Sequence, residues 1–377
     1  MKKIFIVTGE ASGDLQASLL VENIKNIDKE IEIHAIGGDK LKNQNVKLLY
    51  HINDIAILGF IEVIKHINKI RKILKKTIDF ITKNDIKHVI LIDYPGFNLK
   101  LAKELKKRNI NVIYYISPQI WAWGQNRIHK IKKYVDKMIV ILPFEKQFYK
   151  KYNFEVEYVG YPLLDMYYKK YNLEKFRQKY SLSNDSFYIN IQPGSRKNEI
   201  IKLLPVLSDF MEEFKIDKKI HYLIPRASTI SKNLLLDYGL KNKKNYTIID
   251  PEDYYKSLKF TNFVITASGT STLESAIFDN PMIIVYNVNY LTYFIAKKLI
   301  KINNIGLVNI VLEENVFPEL IQNDLTVENL IKETNKIINN YEFYIEKCRL
   351  LKEKLGKHEA AKRAAESIYN FLKNNEK

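Results

Sequence analysis

A chain of 377 residues with 46% hydrophobic side chains carries enough apolar material for two cores, which excludes a disordered or collagen-like polymer. Its one cysteine, Cys348, excludes an internal disulfide and a cysteine-built zinc site, and suits a reducing compartment. The formal charge of +17 leaves two readings open: an anionic partner such as nucleic acid, a phosphorylated metabolite or a bilayer surface, or a composition that has drifted towards Lys, Asn and Ile.

The first segment, MKKIFIVTGEASGD, has an apolar run too short for a signal-peptide core, and no stretch of about eighteen apolar residues occurs anywhere. A cytoplasmic protein without a transmembrane helix is expected. β-Branched runs at 3–9, 31–38, 87–96, 111–118, 137–144 and 156–160 alternate with helical patterns, which predicts βα units around a parallel sheet. A second series begins after residue 185 with SFYINIQPG, KIHYLIPR, YTIID, NFVITASG and PMIIVYNV. Two Rossmann-like α/β domains are expected, over 1–165 and 166–340, followed by a charged helical segment, 341–377, that packs back on the first domain or on a partner.

Several loops follow predicted strands and carry chemistry. GEASGD (9–14) offers glycines and a helix N-terminus to an anion or a sugar hydroxyl, or else is a tight βα turn capped by Ser12 or Asp14. Asp93 ends HVILID and precedes a Pro-Gly turn. It is a candidate general base at the carboxyl end of a parallel strand, or a turn cap. SPQIWAWGQNR (117–127) holds both tryptophans, Trp121 and Trp123, with Arg127 close by, as the wall of a ligand cleft or as core.

IQPGSRKNEI (191–200) repeats the strand, glycine loop and helix arrangement, with Gly194, Ser195 and Arg196 suited to phosphate oxygens. Its counterpart is TASGTSTLESA (266–276), where Ser268, Gly269 and Thr270 open a helix N-terminus. Glu274 would repel an adjacent phosphate, so it suits ribose hydroxyls, or a capping box with Ser271. Ile61, Ile64, Ile67, Ile70 and Leu74 form an apolar helical stripe among lysines and arginines, which fits either an anionic membrane surface or a core-facing helix.

These motifs, in this order, resemble the lipid-A-disaccharide synthase family. The residues that carry the resemblance are GEASGD, LGFIEV (58–63), DYPGFN (93–98), SPQIWAW, LPFEKQFY (142–149), VGYPLLD (159–165), PGSRKNEI, SGTSTLE and the VNIV and PELIQ runs between 308 and 322. The resemblance spans nearly the whole chain. It implies a GT-B architecture, two Rossmann-like domains facing a cleft, with no metal and no cofactor. It implies an inverting transfer from UDP-2,3-diacylglucosamine to 2,3-diacylglucosamine 1-phosphate, giving the β-1,6-linked lipid A disaccharide 1-phosphate and UDP.

By that resemblance Asp93 is the base and Glu10 matches a residue needed for activity. Arg196 and the 268–274 loop hold the diphosphate and ribose, and Asn309, Glu319 and Gln322 match donor-side positions. Ser12, Asn98, Trp121, Trp123 and Arg127 belong to the acceptor side. Gly124 stands where many members carry a basic residue. The resemblance further implies peripheral contact with the cytoplasmic face of an anionic Gram-negative inner membrane, made by the stripe of Ile61, Ile64, Ile67, Ile70 and Leu74, and a homodimer that exchanges carboxyl-terminal segments. The competing reading is another UDP-sugar enzyme of the same fold, such as a UDP-N-acetylglucosamine 2-epimerase or another hexosaminyltransferase. A nucleic-acid partner is not expected, because the lysines are spread along most helices and the aromatics sit beside Pro-Gly loops.

Overall fold

A computed structural model describes residues 2–55, 67–288 and 304–375. The chain divides into two compact units, Met1–Asp165 with Leu355–Lys377, and Met166–Lys354. Each is built on one parallel sheet.

In the first unit the strands are β1 (Lys3–Val7), β2 (Glu32–Gly37), β3 (Lys47–His51), β4 (His88–Ile92), β5 (Asn111–Tyr115), β6 (Lys137–Val140) and β7 (Glu157–Tyr158), in the sheet order β3-β2-β1-β4-β5-β6-β7. All pairings are parallel. β4 is HVILI and every residue of it is buried, because helices cover both faces and leave no face for polar alternation. The chain runs outwards from β1 to β3 and then returns to place β4 on the other side of β1. Connections from these two neighbours therefore leave in opposite directions, and a crevice opens beyond their carboxyl ends. The loops that end there are 8–10 and 93–94.

The second unit repeats the plan with β8 (Ser186–Gln192), β9 (Lys219–Pro225), β10 (Tyr246–Ile249), β11 (Phe263–Ala267), β12 (Met282–Tyr286) and β13 (Glu319–Ile321), ordered β10-β9-β8-β11-β12-β13. Its reversal lies between β8 and β11, so the loops at 193–196 and 268–270 meet at the equivalent crevice.

The helix Ile67–Lys83 corrects one expectation in part. Ile61, Ile64 and the LGFIEV run lie outside the described residues, as does the side chain of Ile67. Ile70 and Leu74 pack half-buried against the core of the first unit, beside the buried Ile73, Ile78 and Ile81. Residues three and four apart share one helix face, and the sheet already covers that face. What this helix offers to solvent is basic: Lys69, Arg71, Lys72, Lys75 and Lys76 are all exposed. Among the described residues, no helix is long and apolar enough to cross a membrane.

The carboxyl-terminal segment is split rather than continuous. The helix Tyr341–Lys354 packs on the helices Thr270–Ile277 and Leu307–Leu312 of the second unit, whereas Ala360–Asn374 packs on Ala11–Ile27 of the first. Arg363 fastens the return. Its guanidinium donates to the carbonyls of Val159 (2.7 and 3.0 Å), Lys357 (2.7 Å) and His358 (2.6 Å).

Candidate active site

At the first crevice the backbone itself is unusual. Asp93 and Tyr94 follow each other with φ of 44° and 46°, and Ile116, just past the neighbouring β5, has φ of 65°. For side chains with a Cβ this left-handed region costs about 1–2 kcal/mol per residue. Specific hydrogen bonds hold it. The Asp93 N–H donates to the Ile116 carbonyl (3.2 Å), the Asn98 side-chain amide donates to the Asp93 carbonyl (2.7 Å), and the Tyr114 hydroxyl donates to that same carbonyl. The backbone is thus tied down at three points while the carboxyl is left out of these bonds.

The Asp93 side chain is half-buried, and its carboxyl is pushed up to about 7, first by loss of water around it and then by the Glu10 carboxylate. Glu10 is exposed at the start of the helix Ala11–Ile27 and makes no side-chain cap there. Gly9 is required for space: a Cβ there would lie 2.3 Å from the Tyr94 ring. Two expectations change. Ser12 is exposed and does not cap the helix. Asp14 is buried and caps another helix, accepting from the N–H groups of Gly38 (2.6 Å), Lys40 (2.9 Å) and Leu41 (3.4 Å).

On the acceptor side, Asn98 is fully buried and donates to the carbonyls of Ile92 (3.2 Å) and Asp93, so it builds the turn instead of facing a ligand. The tryptophans also part company. Trp121 is core, edge-on to Phe144 at 4.8 Å. Trp123 is 45% exposed and lies under the Arg127 guanidinium at 4.1 Å, so this pair is the open cation–aromatic plate. Gly124 between them has φ of 69°, a conformation that suits glycine.

At the second crevice lies the loop of Gly194, Ser195 and Arg196, whose sequence suits phosphate oxygens. Its donors are engaged by the chain: the Glu199 carboxylate accepts from the N–H groups of Ser195 (2.9 Å) and Arg196 (3.2 Å). Gly194 has φ of 112°, and a Cβ there would meet the Glu199 carboxylate at 2.2 Å. The Arg196 side chain is exposed, with Nη1 3.4 Å from Glu199 Oε1. Opposite it, Gly269 has open space where a Cβ would stand and Thr270 is exposed. Ser268, Ser271 and Thr272 bond the carbonyls of Ile305 (2.9 Å), Ala267 (3.0 Å) and Gly269 (2.8 Å), so they shape the loop.

The capping-box alternative for Glu274 does not hold, since its half-buried carboxylate accepts from the hydroxyls of Tyr254 (3.1 Å) and Tyr255 (2.9 Å). Burial raises its pKa, and the two phenols oppose that rise. The donor-side trio also bonds within the chain. Asn309 is fully buried and joins the carbonyl of Phe317 (2.8 Å), the N–H groups of Val316 (3.2 Å) and Phe317 (2.9 Å), and Glu319 (2.9 Å). Glu319 caps the helix Leu307–Leu312 through the N–H groups of Ile305 (2.9 Å) and Gly306 (3.0 Å). Gln322 clasps the backbone of Val288 with both its amide atoms, at 2.7 and 3.0 Å. These three side chains thus latch segments of the second unit to one another.

Sequence reasoning missed Tyr114, Tyr254, Tyr255 and Glu199. Only Glu199 left a signal, an acidic residue three positions after the helix start at Arg196.

A family model described as lipid-A-disaccharide synthetase matches residues 4–371. A lipid-A-disaccharide synthase of Persephonella marina is 36% identical over 382 residues, covering 98% of each chain. One of Sulfurihydrogenibium sp. is 36% identical over 390 residues, covering 99% of each. Among solved structures, the UDP-GlcNAc 2-epimerase from Neisseria meningitidis bound to UDP-GlcNAc superposes with a TM-score of 0.65 at 14% identity, covering 99% of this chain and 100% of that one. A glycosyltransferase from Rickettsia africae gives 0.58 at 14% identity, covering 99% of each. These two likenesses are of fold: two Rossmann-like parallel-sheet domains of the GT-B kind.

Proposed function

Because the chain belongs to the lipid-A-disaccharide synthetase family and is a glycosyltransferase of lipid A biosynthesis, we propose that Asp93 is its general base and that the crevice between β8 and β11 seats the UDP of the donor. The observation that carries the assignment is Asp93 itself, a carboxyl near 7 on a locked left-handed turn at the carboxyl ends of β1 and β4. A base with a pKa near the working pH combines a useful ionised fraction with real proton affinity.

The donor is UDP-2,3-diacylglucosamine and the acceptor 2,3-diacylglucosamine 1-phosphate. Asp93 takes the proton of the acceptor 6-hydroxyl as that oxygen attacks the anomeric carbon from the face opposite UDP. The bond from that carbon to the diphosphate oxygen breaks, its electron pair leaves with UDP, and the new linkage is β. The exposed Arg196 guanidinium stabilises the charge gathering on the diphosphate, and Glu274 accepts from the ribose hydroxyls. Trp123 and Arg127 offer an aromatic face and a cation to the anionic, acylated acceptor. The exposed basic face over Lys69–Lys76 supports contact with an anionic bilayer, where each cation near the surface contributes about 1 kcal/mol.

Purified protein given both acylated substrates is expected to release UDP and form the disaccharide 1-phosphate in equal amounts. Conversion of soluble UDP-N-acetylglucosamine to its 2-epimer, with no turnover of the acylated pair, would favour the epimerase reading instead.

A further inference from the structure

We infer that Tyr254 and Tyr255 are positioning residues for donor recognition, holding the Glu274 carboxylate in the orientation in which it receives the ribose of UDP. The inference rests on the ribose reading of Glu274 above. Both tyrosines stand at the start of the helix Tyr254–Phe260, which follows β10, whereas Glu274 stands in the helix that follows β11. The two phenols divide the carboxylate between them: the Tyr254 hydroxyl donates to Oε2 at 3.1 Å and the Tyr255 hydroxyl to Oε1 at 2.9 Å.

A carboxylate has about four acceptor positions. One phenol on each oxygen fixes the plane of the group and leaves each oxygen a further lone pair, which suits two vicinal sugar hydroxyls. A carboxylate held in this way does not lose rotamer freedom when a ligand binds, and that loss is one of the recurrent costs of polar recognition.

The phenols are themselves braced. The Tyr254 and Tyr255 rings meet at 5.1 Å, and Tyr255 stacks on Phe278 at 5.5 Å with planes 21° apart. The Tyr254 hydroxyl also lies 3.5 Å from Gln192 Oε1 at the end of β8, on the strand that leads into the Arg196 loop. Gln192 Oε1 accepts from Thr266 on β11 at 2.9 Å. The ribose end of the site and the two strands flanking the crevice are thus joined through Tyr254. If the only role of these phenols were to satisfy a buried carboxylate, removing them would affect folding and leave ribose discrimination alone.

The test compares the affinities of UDP and 2′,3′-dideoxy-UDP by calorimetry, in the wild-type protein and in Tyr254→Phe, Tyr255→Phe and Glu274→Ala. The wild type is expected to prefer UDP, and Glu274→Ala to abolish that preference. Each Tyr→Phe variant is expected to reduce the preference about tenfold, in line with loss of a hydrogen bond to a charged group. Its affinity for the dideoxy ligand should stay at the wild-type value, which also reports that the site is folded. Wild-type preference in both Tyr→Phe variants, alongside its loss in Glu274→Ala, would overturn the positioning role. An unchanged preference in Glu274→Ala would overturn the ribose reading and the inference with it.

Discussion

Asp93→Asn is expected to lower kcat/KM for disaccharide formation by about two to four orders of magnitude, the usual worth of a positioned general base. Asparagine fits the same space and leaves the three backbone bonds of residue 93 in place, but it cannot take a proton. The fold should tolerate it. A carboxyl whose folded pKa is raised from 3.8 to about 7 favours the folded state when protonated, and it loses that contribution as the pH climbs from the lower value to the higher. At pH 8 the charged Asp93 is therefore a burden on the folded state, so the neutral amide should be at least as stable by thermal melting. A large fall in turnover with an unchanged melting temperature separates chemistry from structure. Less than a tenfold fall would remove Asp93 from the role of base.

Asp14→Ala is the second large effect, and it acts on stability. The carboxylate is buried and accepts from three backbone N–H groups across 24 to 27 residues of chain, tying the first turn of the helix Ala11–Ile27 to the start of the helix Asp39–Asn43. Truncation leaves the buried N–H groups of Gly38 and Leu41 without their acceptor, a loss of about 3 kcal/mol. The effect should appear as a lower urea midpoint with an unchanged m-value. A midpoint shift equivalent to less than about 0.5 kcal/mol, the range of an ordinary surface substitution, would show that water replaces the carboxylate.

The strands were legible for a physical reason. Parallel strands buried on both faces read as unbroken β-branched runs, and HVILI or FVITA admits few other interpretations. The loops were legible because glycine, serine and a charged residue directly after such a run mark the carboxyl end of a strand, where open α/β sheets place their ligands. Sequence could not say which of those polar groups would be free. Asn98, Asn309, Glu319 and Gln322 have the residue types of ligands, yet their hydrogen bonds go to carbonyls and N–H groups that only the folded chain brings near.

Glu274 shows the same limit from the other side, since its phenol partners lie 19 and 20 residues away with no periodic signal between them. The stripe through Ile70 and Leu74 was ambiguous for a different reason. A basic amphipathic helix has one pattern whether its apolar face meets a sheet or a bilayer, and here the sheet of the same unit was available to cover it.

The most direct test of Asp93 as the base is the pH dependence of kcat/KM in the wild type and in Glu10→Gln. In the wild type the rate should rise with pH through an acid limb near 7, as the raised carboxyl ionises. Removing the Glu10 charge, the second of the two causes that raise Asp93, should move that limb to lower pH. A wild-type profile flat between about pH 5 and 8, or a limb that stays in place in Glu10→Gln and persists in the residual rate of Asp93→Asn, would contradict it.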